Sequence, residues 1–156
     1  MRYAGGVMKS NVNDAEKISY AKCIDISKKM RWDIDADVIK GRHFDLSKKF
    51  LPDGISNVNQ IDFLNDEEKR FLSQIQGWTY ANMFRFVERF IVSKILELTS
   101  NHWLGDQVAL EAMVRFCDEE LKHQELFRRI DKMIESVMPE GYQFRFDPNQ
   151  VAAAVL

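Results

Sequence analysis

The stretch DQVALEAMVRFCDEELKHQELFRRIDKMIESV, from Asp106 to Val137, decides how the chain is read. Its apolar residues fall on one line at alternating four- and three-residue steps: Ala109, Met113, Phe116, then Phe127, Ile130 and Ile134. That stepping is the inward seam of a packed helix. Carried through the gap, the line lands on Glu120 and His123, within the sequence Glu-Leu-Lys-His. A carboxylate and an imidazole therefore stand where a helical core would take leucines. Burying a lone carboxylate is costly, so an acid on that face needs a partner. The i, i+3 spacing places both groups on one face, within reach of one ion. The segment reads as a metal-ligand helix. Glu119, at i, i+4 from His123, is the competing ligand, but it lies off the seam.

An earlier helix repeats the anomaly. Asn65 is a good cap, and Asp66, Glu67 and Glu68 oppose the positive end of the helix dipole. From Lys69 to about Thr99 there is no proline and only one glycine, Gly77. The inward line there runs Ala81, Phe84, Glu88, Ile91, Ile95 and Leu98, again with one acid among apolar residues. Phe71, Ile75, Trp78, Phe86 and Phe90 widen the stripe until the helix is apolar nearly all round, as in helices covered on several sides. The break is Thr99 to Gly105, with Asp106 as the new cap and His102 as a surface or helix-end residue. A short connection makes the two helices antiparallel neighbours. Taking Leu104 as its centre, Glu88 and Glu120 lie equally far on either side. At about 1.5 Å rise per residue they meet at one height. Glu88, Glu120 and His123 are thus expected to converge. Carboxylates with imidazole suit iron(II), manganese(II) or zinc, and a carboxylate can bridge two ions.

The remaining chain is arranged around this hairpin. Residues 1–13 have no period and read as a flexible tail. Residues 14–60 form an N-terminal helix, capped by Asp14 and ending near Met30, followed by an irregular wrapping segment. The helix carries Ile18, Ala21, Cys23 and Ile26 on its apolar side, with Cys23 a small hydrophobe against the core. Trp32, Phe44 and Phe50 anchor the wrap, Pro52-Asp53-Gly54 makes a turn, and His43 is a solvated surface residue. Residues 61–156 hold the hairpin and, after the stop at Pro139 and Gly141, a short aromatic stretch (Tyr142, Phe144, Phe146). A third helix is expected to start at Asp147-Pro148. Cys117 packs in the core or lines the site. Arg128, Arg129, Asp131 and Lys132 read as a solvated face.

Composition narrows the class. Hydrophobic residues make up 46% and charged residues 29%, the balance of a globular domain. A net charge of −2 carries no basic stripe, so no nucleic acid is expected. Cys23 and Cys117 lie far apart and read as reduced thiols. With no signal-peptide pattern and no run of about 18 apolar residues, the expectation is a cytoplasmic protein that does not engage the membrane.

The residues Trp78-x-Tyr80, Glu88-Arg89-Phe90-Ile91 and Arg115-Phe116-x-x-Glu119-Glu120-x-x-His123-Gln124-Glu125-Leu126-Phe127 resemble the ferritin-like superfamily of di-iron carboxylate proteins. Within it the chain looks most like the p-aminobenzoate N-oxygenase type of non-haem di-iron proteins, to whose pre-bundle stretch Lys48-Lys49-Phe50-Leu51-Pro52-Asp53 is similar. The likeness spans about residues 31–156. It implies an all-α, ferritin-like helical bundle with two irons per complete site, manganese being possible. It also implies O2 activation for oxidation of a small organic substrate. By motif, Glu88 would be the first-helix ligand, with Glu120 and His123 the Glu-x-x-His of the second. The departure is in the ligand set. A complete site takes a second Glu helix and a second Glu-x-x-His helix, and the chain has neither. The expectation is a half bundle, either lacking a C-terminal half or completed by a second copy in a homodimer. Two other functions fit the same residues: iron storage or metal buffering, and a metal-free helical interaction module.

Overall fold

The structure, a computed structural model, describes residues 14–102, 105–147 and 149–150. It is all-helical, with no strand among the described residues. Helix α1 spans Asp14–Lys29, a π-helical turn covers Ile34–Ile39, and the short helix α2 covers Asp53–Ser56. The two long helices are α3, Asp66–Thr99, and α4, Gln107–Glu135. No helix among the described residues is long and apolar enough to cross a membrane. The expected tail at residues 1–13 and the expected third helix beyond Gln150 lie outside the described residues. Asn149 and Gln150 are helical, with the Asp147 side chain accepting from the Asn149 N–H.

The long helices start where the sequence says they should. Asn65 Oδ1 accepts from the Glu68 N–H at 3.0 Å, and the Glu68 carboxylate accepts from the Asn65 N–H at 2.9 Å. This reciprocal box satisfies two donors that a helix start otherwise leaves open. Asp106 Oδ1 accepts from Val108 and Ala109 at the start of α4. α3 and α4 pack against each other along their length, and α1 lies on α4.

The core sits at the end of the hairpin away from the connection. Trp78, Ala81, Ile134 and Met138 are buried there, and Phe44, Phe50 and Tyr142 close around them. The Trp78 indole stacks on Tyr142, 4.2 Å between ring centres. The wrapping segment is held to α3 by polar groups. Buried Gln74 donates to the carbonyls of Leu46 and Lys48 at 2.9 and 2.8 Å, and Ser73 Oγ bonds Leu51. An irregular backbone can be covered only when its carbonyls find donors, which two polar residues inside α3 supply. Gly77 is required by a close approach: a Cβ there would stand 2.7 Å from Phe50 Cβ.

Three local expectations are corrected. The buried stripe of α1 is Tyr20, Ile24 and Ser27, not Ile18, Ala21, Cys23 and Ile26, which are all exposed. A helix touching one neighbour buries one narrow stripe, and the i, i+4, i+7 line through Ile24 is the one turned to α4. Pro52-Asp53-Gly54 opens the one-turn helix α2 instead of a reverse turn, and the left-handed residue after it is Asn57 (φ 54°). Asp131 is not solvated. It accepts from Trp78 Nε1 at 2.7 Å, Asn82 Nδ2 at 2.9 Å and Arg85 at 3.3 Å.

The seams behave differently along their length. Ala81, Ala109, Glu120 and Ile134 are buried as expected, while Phe84, Leu98 and Phe116 remain 41%, 49% and 45% exposed. A pair of helices covers only the sector where they touch. The outer sector of each seam stays open.

Candidate metal centre

The polar exceptions on the two seams meet. Glu88 of α3 and Glu120 and His123 of α4 each offer a ligand atom, all within 4.8 Å of one another. His123 Nδ1 lies 3.1 Å from Glu120 Oε2 and 3.9 Å from Glu88 Oε1. The helices place them by the expected route: antiparallel packing matches the heights, and the i, i+3 step turns Glu120 and His123 to one side. The Glu120 and Glu88 side chains are 8% and 13% exposed, whereas His123 is 38% exposed and stands at the open edge.

Among the described residues no lysine or arginine pairs with Glu88 or Glu120. The ionisable group beside both is the His123 imidazole. Two carboxylates side by side cannot both hold full charge cheaply. Burial first, and then the adjacent Glu120, push the Glu88 acid up to about 8. Burial and the Glu120 charge likewise raise the Cys117 thiol, which lies buried beside the site as a packed, protonated side chain. The donor chemistry therefore fits a divalent cation. Two acids and an imidazole, concentrated without a lysine or arginine, are what borderline first-row ions take. A cation would supply the positive charge that the protein does not.

Glu119 does not join this cluster. Its Oε2 accepts from Trp32 Nε1 at 2.9 Å and pairs with Lys122 at 3.7 Å. Trp32, brought over by the wrapping segment, stacks on the His123 imidazole at 5.7 Å and 26°. Lys122 Nζ sits 4.8 Å above the Trp32 ring and donates to the Trp32 carbonyl. Sequence reasoning anticipated Trp32 as an anchor but not what it anchors to, because no local pattern links positions 87 residues apart.

Further along the hairpin, a groove of about 270 Å³ opens between it and the wrapping segment, lined by Phe44, Phe50, Tyr80, Phe84, Phe127 and Ile130 among others. Phe84 and Phe127 stack at 5.3 Å, one turn from Glu88 and His123 respectively. His43 is exposed, as expected. His102 is half-buried in the turn after α3, with its Nδ1 enclosed and unpartnered among the described residues.

Comparison with protein families, with curated proteins and with solved structures finds no match to this chain.

Proposed function

We propose that this chain carries half of a carboxylate-rich dinuclear metal centre, of iron or manganese, in an O2-activating oxidase or oxygenase of ferritin-like architecture acting on a small organic substrate. The observation that supports the reading is the convergence of Glu88, Glu120 and His123 on the inward sides of an antiparallel hairpin. In four-helix carboxylate proteins, a Glu on one helix and a Glu-x-x-His on the next form half of the ligand set. The other half would come from a second copy in a homodimer or from further helices. The open outer sector of the seams, with Phe84, Leu98 and Phe116 exposed, is where such helices would pack.

Bound metal ions would supply the binding and reduction of O2. The chain's own residues have simpler tasks. Glu88 and Glu120 offset cationic charge and can each present two oxygens. His123 gives a ring nitrogen, and its Nδ1 is the atom turned to the acids. The aromatic groove, whose Phe84 and Phe127 lie one turn along from Glu88 and His123, offers an apolar substrate a place near the ligands.

Iron and manganese content per chain, measured with O2 consumption under reducing conditions and with the mass in solution, tests the reading. Metal at one ion per chain with O2 uptake supports it. Metal without uptake points to storage or buffering, and a metal-free protein refutes it.

A further inference from the structure

We infer that Trp32 and Glu119 are positioning residues that hold the His123 imidazole and tie the wrapping segment to the metal centre. The inference rests on the metal reading above and adds the elements that fix one ligand from outside the hairpin.

His123 is the least constrained member of the triad. It is the most exposed, and among the described residues its one hydrogen bond is to Glu120. Histidine ligands need an outer contact to set their ring orientation, and losing it typically weakens metal binding about 10–100-fold. The contact the fold provides is a ring stack. The Trp32 indole lies nearly parallel to the imidazole, and its own angle is set by the Nε1–H bond to Glu119, one helical turn before His123. Lys122 completes the clamp by pairing with Glu119 and lying over the indole. Glu119 Oε1 is buried and unpartnered among the described residues, so the carboxylate keeps one open acceptor beside the site.

The clamp also joins two parts of the fold. Trp32 directly precedes Asp33, which caps the π-helical turn, and Asp35 of that turn bonds Arg129 of α4 at 2.8 Å. Ligand geometry and docking of residues 32–39 are therefore coupled, and the coupling is reciprocal.

Titration of the purified chain with cobalt(II) alone, followed by visible absorption and tryptophan fluorescence, tests this. In the wild type the cobalt band and the loss of tryptophan emission should track one another, because Trp32 lies beside a ligand. Trp32→Phe keeps a ring over His123. It should retain the cobalt band with affinity within a few-fold, and lose most of the quenching. Trp32→Ala should weaken cobalt binding about 10–100-fold with unchanged helix content, and Glu119→Gln should weaken it less. Wild-type affinity in Trp32→Ala, or undiminished quenching in Trp32→Phe, would overturn the inference and leave the metal reading standing. If the wild type gives no cobalt band, the metal reading fails and this inference with it.

Discussion

Replacing Glu88 by glutamine should remove most of the pH dependence of stability in the metal-free protein. The Glu88 acid titrates near 4.5 in an open chain and near 8 in the fold. Between those values the folded state keeps a proton that the unfolded state has lost. Stability follows the difference in bound protons, so it falls as pH rises. The contribution is complete below about pH 4.5 and is lost as pH passes through about 8. One proton corresponds to a slope of up to about 1.4 kcal/mol per pH unit. For a chain of this size that is roughly 3–5 °C in Tm per unit. The assay is thermal or urea unfolding in excess chelator at fixed protein concentration, from pH 5 to pH 8.5. Glu88→Gln should flatten the curve across this window and be more stable than wild type at pH 8, where it avoids a buried charge. With manganese(II) added, the order at pH 8 should reverse, because only the carboxylate can release its proton and hold the ion. Parallel slopes for the two metal-free proteins would refute the reasoning.

Four further outcomes are expected. Glu120→Ala or His123→Ala should lower bound metal by more than tenfold while far-UV circular dichroism stays within a few per cent of wild type. Full occupancy in either variant would remove that residue from the site. Asp131→Ala should cost about 2–4 kcal/mol in urea unfolding, because it strips acceptors from Trp78, Asn82 and Arg85 together. Ile134→Ala, at a position 1% exposed, should cost about 2–5 kcal/mol. Gly77→Ala should destabilise by about 1 kcal/mol. Alanine's gain in helix propensity of about 1 kcal/mol is outweighed by the 2.7 Å clash with Phe50 Cβ, worth about 1–3 kcal/mol as overpacking. A gain in urea midpoint would show that Phe50 is not seated on α3.

Much of the hairpin was legible because it depends on local rules. Caps at Asn65 and Asp106 are read from residue type. The meeting of Glu88 with Glu120 and His123 follows from rise per residue and a short connection. The choice of Glu120 over Glu119 came from seam phase alone, and the coordinates place the two on different partners. What escaped was whatever depends on distant contact. Asp131 looked solvated beside two arginines and a lysine, and only the packing of α3 reveals its three donors. In α1, several lines carried an isoleucine, and periodicity could not choose among them. Phe84, Leu98 and Phe116 were expected inward by phase and are exposed, because a seam gives a residue's phase and not what lies opposite it.

The Asp131 clasp has a consequence for how such a site is held together. It lies eight residues beyond His123, about 12 Å along α4 at 1.5 Å per residue. Sliding one helix against the other would break three hydrogen bonds there as well as separate the ligands. Alignment is thus set by one part of the hairpin and chemistry by another. The polar residues that fix the register of the two helices are therefore separate from the acids and imidazole they bring together.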